Sequence, residues 1–356
     1  MLLGLWRFFV LEYRGYCGNI MYVMEGISVK KLINSIDLVE EEMVKGLVKS
    51  NAKLAKIDGF NVVVRADKKT DKVALVSGGG SGHEPAHAGY VGTGMLDAAV
   101  CGAVFTSPTP DAIFEGIKAV SNEKGVLCIV KNYTGDIMNF EMAIDMANDE
   151  DIQADYVVVN DDVAVKDSLY TTGRRGVAGT VLVHKIAGAK AETGADLEEV
   201  KEVAEKVIAN VRTMGMAIAP CTIPAAGEPG FKLSDTDMEI GIGIHGEPGT
   251  SRETMKSANE IAKELTDNIL EDIEYTGQEV VLLVNGMGAT PLMELYIINN
   301  FVHDYLTEKG IKIYDTMIGN YMTSIEMQGF SITLLRLDDE LKALYDAPAD
   351  TPALKR

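Results

Sequence analysis

The residues best placed to do chemistry lie in Gly78-Gly79-Gly80-Ser81-Gly82-His83-Glu84-Pro85. They follow an apolar run, Val73–Val76, that reads as a buried strand. Glycines after a strand let backbone N–H groups approach a ligand closely. His83 then places an acid/base group at the mouth of that turn. A phosphate loop would continue with Gly-Lys-Ser/Thr, and this stretch does not. The dinucleotide spacing also fails, because its third glycine is missing. The loop is therefore expected to hold something other than a nucleotide, with His83 there for chemistry. His87 stands four residues on and would share a helix face with His83, as a zinc pair does. Pro85 and the preceding glycines break such a helix, and no third ligand is near, so no metal site is expected.

Two further positions carry a similar signal. His245 ends Gly241-Ile242-Gly243-Ile244 and precedes Gly246-Glu247-Pro248-Gly249. Glycines at alternate strand positions admit a close backbone or ligand, and a strand end is a common place for a functional side chain. A turn histidine satisfied by backbone is the competing account. Asp136 and Lys131 occur in Lys131-Asn132-Tyr133-Thr134-Gly135-Asp136, just after the strand Val126–Val130. Ligands of open α/β sheets bind beyond the carboxyl ends of strands. Asp136 also suits the N-cap of a helix from Ile137 onward. Asp161-Asp162 has a comparable place and either binds a cation or is solvated. His184 and His303 fall in amphipathic helical stretches and read as packing or surface residues.

These residues need a scaffold of strands and helices. Strands are predicted at Val62–Arg65, Val73–Val76, Ala98–Val104, Val126–Lys131 and Tyr156–Asn160. Helices are predicted at Asp111–Glu123, Ile137–Ala147, Thr180–Thr193 and Leu197–Met214. After a Pro/Gly-rich connector the alternation restarts: strands at Glu239–His245, Val280–Asn285, Ile311–Ile318 and Ile332–Leu337, with helices at Met255–Leu270 and Pro291–Glu308. This alternation predicts an α/β protein of two domains, each a largely parallel or mixed sheet layered with helices. The 356 residues suit two domains at about 150 residues each. The boundary is placed near Arg212, giving domains over 29–212 and 213–356, with the tail from Ala347 loose. The segment 1–28 is expected to be a non-native or disordered extension from an over-extended gene start: its apolar run is too short for a membrane span and is interrupted by Arg7. A net charge of −20 argues against a nucleic-acid surface. The four cysteines form no Cys-x-x-Cys pair, which speaks against a disulfide framework or a zinc site. No membrane association and a cytoplasmic location are expected.

Taken together, the motifs resemble the dihydroxyacetone kinase family. The run Ser77 to Gly89 is similar to that family's substrate loop. So are Lys131 to Asp136, Asp161-Asp162-Val163-Ala164 with Gly173-Arg174-Arg175-Gly176, and Gly243 to Gly249. The likeness runs from about Val29 to near the C-terminus, with the motifs in order, and it is nearest to the substrate-binding K subunits of the phosphoenolpyruvate-dependent enzymes. The resemblance implies a dihydroxyacetone pocket lined by Gly80, Ser81, Gly82 and His83, with Lys131 and Asp136 contributing. It implies that His245 forms a covalent hemiaminal with the ketone carbon, that Asp136 is the general base, and that His83 bonds to substrate oxygens and shuttles protons. It implies no cofactor on this chain: ADP or ATP with Mg2+ belongs to a partner L subunit, recharged through a phosphotransferase-system M subunit. A homodimer is implied as well. Two alternatives remain open, a non-catalytic dihydroxyacetone sensor or coactivator, and a kinase subunit for another short keto-sugar such as erythrulose.

Overall fold

Runs of Val, Ile, Leu and Ala too short for helices have to pair as strands, and the amphipathic stretches between them have to cover the sheets so formed. The computed structural model describes residues 30–166 and 171–356, so the expected extension at 1–28 lies outside the described residues. Two six-stranded sheets result. In the first, β1 (Leu54–Lys56), β2 (Val62–Arg65), β3 (Ala74–Ser81), β4 (Ala98–Val104), β5 (Val126–Lys131) and β6 (Ala154–Val159) run in the order β1-β2-β4-β3-β5-β6. Strands β4, β3, β5 and β6 are parallel, and β1 and β2 pair antiparallel at one edge.

The second sheet comes from the other half of the chain. Its strands are β7 (Val211–Ala219), β8 (Asp237–Ile240), β9 (Ser251–Thr254), β10 (Glu279–Gly286), β11 (Lys312–Gly319) and β12 (Gln328–Leu337), in the order β11-β10-β12-β7-β8-β9. Only β10 and β11 are parallel there. Both sheets are thus mixed, as the alternation predicts.

Helices α2 (Pro110–Val120) and α3 (Thr134–Asp149) close one core against the first sheet. Helices α6 (Ala258–Asp272) and α7 (Leu292–Glu308) close another against the second. Between the sheets lie α4 (Thr180–Glu192), α5 (Leu197–Asn210) and α8 (Asp339–Asp346), in one core that includes Leu75 and Ile129 of the first sheet and Val281, Leu283 and Leu335 of the second. Helix α1 (Val39–Ser50) packs on β1 and β4.

Several expectations change, each for a physical reason. Helix α4 is not amphipathic in use: with a sheet on either side it is buried on every face, His184 and Lys185 included. Helix α5 begins at Leu197 as predicted, and the structure shows a capping box there, with Asp196 and Glu199 each satisfying the other's backbone N–H. It stops at Asn210, because Val211 turns extended and the next nine residues join the second sheet instead of continuing the helix to Met214. The strand predicted to end at His245 ends at Ile240, and glycine turns carry the chain on to the histidine. The glycines at 78–80 sit inside β3 rather than in a turn after it. Helices α1 and α8 and the short strands β1 and β9 are additions. The tail is docked, not loose: Asp350 pairs with Thr93 and Lys355, Ala349 and Arg356 exchange backbone hydrogen bonds, and Arg356 reaches Asp315 and Asp346.

The fit between α4 and the first half can be tested at Gly188. A Cβ there would lie 2.5 Å from the Gly94 carbonyl oxygen and 2.5 Å from Met95 Cα. Alanine gains about 1 kcal/mol of helix propensity, while overpacking a buried backbone contact costs about 1–3 kcal/mol or more. The collision should win. Gly188→Ala is expected to lower the urea midpoint, and a raised midpoint would show that α4 shifts freely.

Candidate active site

The carboxyl ends of β3, β4 and β5 lie side by side because those strands are parallel, and each delivers a polar loop to the same place. Missing side chains on β3 make room. A Cβ at Gly79 would sit 2.4 Å from Lys131 Nζ, and one at Gly80 would sit 2.5 Å from the Thr106 amide nitrogen. Beyond the strand, Gly82 has φ of 105°, open to glycine alone at little cost, and its carbonyl accepts from Ile325 N–H at 2.7 Å. The His83 carbonyl accepts from Thr323 N–H at 3.2 Å. A loop of the second half therefore clamps the loop of the first.

That clamp sets the state of His83. The Thr323 carbonyl can only accept, so the 2.8 Å contact makes His83 Nδ1 the protonated nitrogen. Its Nε2 is then a bare lone pair, buried and without a hydrogen-bond partner among the described residues. Burial, with the His245 ring and the Lys131 ammonium close by, holds His83 well below the usual imidazole range. The ring stacks on Phe105 and meets His245 edge-on, with centroids 4.8 Å apart.

His245 arrives from the second half. Its ring is packed edge-on against Phe105 and Tyr133 as well as His83. Its Nδ1 lies 2.9 Å from Glu247 Oε1, and its backbone N–H donates to Glu247 Oε2 at 2.9 Å. Burial alone would push the Glu247 carboxyl up. The His245 ring and the Arg175 guanidinium outweigh it and hold Glu247 at about 2. An ionised Glu247 fixes the Nδ1–H tautomer of His245, which leaves Nε2 of this cavity-lining ring with its lone pair. Arg175 is itself fully buried, paired with Asp162 at 2.6 Å and bonded to the Gly241 carbonyl.

Asp136 completes the set. It lies in the first turn of α3, whose N-cap is Tyr133, so the N-cap reading does not hold. Its Oδ1 accepts from Ser107 Oγ, and its Oδ2 stands 3.8 Å from Lys131 Nζ, an ion pair beyond hydrogen-bonding reach. Gly80, Ser107, Tyr133, Asp136 and His245 line one cavity of about 490 Å³, with Ile223 at its edge. Lys131 lies behind Gly79 and touches the cavity only through Asp136. The Ser81 hydroxyl donates to the Gly102 carbonyl and faces the sheet, leaving its backbone as the part nearest the site.

The remaining candidates serve the fold. Asp161 accepts from Val177 and Gly179 N–H, and Asp162 pairs with Arg175, so neither is a solvated acid nor a free cation ligand. His87 points away from His83 toward Ser77, His184 and Lys131. Among the described residues no group of three or more His, Cys, Asp or Glu side chains could hold a metal. Glu247, Phe105, Tyr133 and Ser107 were not foreseen. The spacing His245-x-Glu247 was a usable sign for the first; the others depend on which loops meet.

Residues 45–353 match the family model described as the Dak1 domain. The chain is 58% identical over 328 residues to the dihydroxyacetone-binding subunit of PTS-dependent dihydroxyacetone kinase 1 from Listeria innocua, covering 91% of this chain and all of the relative. It is similar to the crystal structure of the dihydroxyacetone kinase from C. freundii in complex with AMP-PNP and Mg2+: TM-score 0.86, 33% identity, 91% of this chain and 60% of that one. It is also similar to a dihydroxyacetone kinase operon co-activator: TM-score 0.84, 37% identity, 88% of this chain and 97% of that one.

The Glu247 geometry predicts a pH dependence. A carboxyl held at about 2 when folded, against an ordinary value of 4.5, contributes stability that is full above pH 4.5 and lost as pH falls toward 2. Between pH 5 and pH 3 the loss should be about 2 kcal/mol. Urea unfolding of Glu247→Gln should show a correspondingly shallower fall over that range. Equal slopes in the two proteins would mean that the carboxyl is not held down.

Proposed function

This chain belongs to the Dak1 family, and from that premise we propose that it is the dihydroxyacetone-binding subunit of a dihydroxyacetone kinase, a phosphotransferase acting on an alcohol group. The observation that carries the reading is that Asp136 and His245 line one cavity, with the buried His83 ring packed edge-on against His245. His245 keeps its Nε2 lone pair because Glu247 holds Nδ1, His83 offers a bare Nε2, and Asp136 has one oxygen unclaimed by any hydrogen bond.

In the proposed reaction the His245 Nε2 lone pair forms a bond to the ketone carbon. The carbonyl π pair moves to oxygen, which takes up one proton from bulk solvent, so that forming the adduct consumes a proton. The ring gains positive charge, which the ionised Glu247 balances at Nδ1. The new hydroxyl donates to His83 Nε2. The covalent step requires a carbonyl, so it rejects glycerol, which pocket hydrogen bonds alone would reject less sharply. It also fixes a small molecule in one orientation. A terminal hydroxyl then gives its proton to Asp136 and attacks a phosphoryl group, a general-base step worth roughly 10²–10⁴-fold.

The phosphoryl group would come from ATP held with Mg2+ on an L subunit, leaving ADP there; the metal would supply neutralisation of developing charge. The M subunit of a phosphotransferase system would recharge that nucleotide. Met138 and Met142 lie one turn apart on α3, beside Asp136, and are 60% and 54% exposed. Adaptable, exposed apolar side chains on the helix that carries Asp136 suit a docking partner. A separate apolar patch of Leu292, Met293, Tyr296 and Ile297 on α7 suits a second copy of the chain. The free thiols of Cys101, Cys128 and Cys221 fit a reducing, cytoplasmic setting.

A sensor role is the second reading, favoured by the likeness to the co-activator. A sensor needs the covalent histidine but no base. With an L subunit and a phosphoryl source, Asp136→Asn should keep the substrate mass increment in native mass spectrometry and lose turnover by at least 100-fold. His245→Ala should lose the increment itself. Turnover near wild type in Asp136→Asn would remove the base assignment, and an increment surviving in His245→Ala would move the covalent role elsewhere.

A further inference from the structure

Behind the site runs a buried polar chain that the proposed reaction does not use. Lys131 Nζ lies 3.3 Å from His87 Nε2, and His87 Nδ1 lies 2.9 Å from His184 Nε2. Lys131 and His184 are fully buried and His87 nearly so. They come from β5, the loop after β3, and α4, so three separate elements converge to make the chain.

Its proton arrangement can be read from one end. The Ser77 hydroxyl donates to the Ile129 carbonyl at 2.6 Å, so its oxygen is left to accept. Its 3.3 Å contact with His87 Nδ1 therefore makes that nitrogen the donor. His87 Nε2 is then bare and accepts from the Lys131 ammonium. His184 Nε2 must likewise be bare to accept from His87, which leaves His184 Nδ1–H, an atom without a partner among the described residues. Burial holds both imidazoles below their usual range, His184 at about 3, so neither competes with Lys131 for charge.

We propose that His87 and His184 are a positioning pair that holds the Lys131 ammonium at a standoff from Asp136, leaving Oδ2 of that carboxylate open to the substrate hydroxyl. This rests on Asp136 being the base. An ammonium free to swing would close from 3.8 Å to hydrogen-bonding distance and donate to Oδ2, since a charge-assisted bond to a carboxylate is stronger than one to a neutral ring. The tether to His87 Nε2 opposes that closure. A carboxylate in place of His87 would instead neutralise Lys131 and remove its field from the site.

The test needs two arms. In the first, His87→Phe keeps the volume and removes the acceptor, while His87→Gln restores an acceptor near the position of Nε2. Assayed with the L subunit, His87→Phe should lose at least tenfold in kcat, with KM for dihydroxyacetone within threefold and the covalent mass increment intact. His87→Gln should stay within threefold of wild type. Unchanged kcat in His87→Phe overturns the proposal, as do equal losses in the two variants or joint loss of kcat and adduct. In the second arm, nitrogen-15 NMR of the wild-type chain should show both His87 and His184 as neutral Nδ1–H tautomers. An Nε2–H on His87 would mean that it donates to a neutral amine, and the proposal falls even if His87→Phe does not fold. Wild-type protein that forms no adduct would sink the kinase reading instead, with the tautomers unaffected.

Discussion

Space along β3 governs the rest of the structure. Residues Gly78–Gly80 lie in the interior of a buried strand, where glycine is entropically costly and packs nothing. What replaces their side chains is other polar structure: the Lys131 ammonium at Gly79, the backbone of Phe105 and Thr106 at Gly80, the Val100 carbonyl at Gly78. Each close approach sets a distance that the site depends on. Lys131 can reach both Asp136 and His87 only because nothing projects from Gly79. Phe105 can lie flat under His83 only because the chain after β4 comes this near to β3. The strand gives up packing energy locally, and the surrounding cores, closed on both faces of each sheet, compensate for it.

Burial then decides which groups carry charge. Removing an imidazole from water disfavours its cation, so His83, His87 and His184 are neutral and act through lone pairs and N–H groups. Removing a carboxylate from water should neutralise it too, and at Glu247 this is reversed by two nearby nitrogen groups. The difference is partnership. Glu247 has the His245 ring on one oxygen, the His245 backbone N–H on the other and the positive field of Arg175, whereas the three histidines have mainly one another, a carbonyl and an ammonium. An imidazole backed by an ionised acid and faced by a neutral imidazole follows from these environments without any unusual residue type.

Much of this was legible in the sequence and some was not, for reasons that differ by residue. His83, Asp136 and His245 stood out because each follows a short apolar run, and strand ends are where α/β sheets expose side chains. The two-sheet architecture followed from the spacing of those runs. Of the two readings open for His184, packing holds and surface does not, because periodicity reports the faces of a single helix and cannot show that His87 and Tyr90 cover this one. The end of α5 was missed because Val211–Met214 continues an apolar pattern, and strand pairing with β8 and β12 overrides it. The tail gave no periodic signal, since it is held by bridges, ion pairs and a few apolar residues such as Ala349 and Leu354 that follow no helix or strand period. Phe105 and Tyr133 could not have been named: what matters is that the ends of β4 and β5 bring them against His245, and that is a property of strand order.

The size of the cavity bears on why covalent capture suits it. At about 490 Å³ it is several times larger than a triose needs. A ligand of about six non-hydrogen atoms has a binding ceiling near −1.5 kcal/mol per atom even in a site shaped to it, and far less in a roomy one. Shape therefore cannot hold dihydroxyacetone in one pose here. The proposed bond to His245 would, because it would fix the carbon directly and leave the far hydroxyl free to reach Asp136. The unfilled volume then has a use, since under the proposed reaction a phosphoryl donor has to enter the same cavity. A snug pocket would bind the triose better and shut that donor out. On this reading, openness and covalency belong together: the cavity admits a second reactant because the first is tethered.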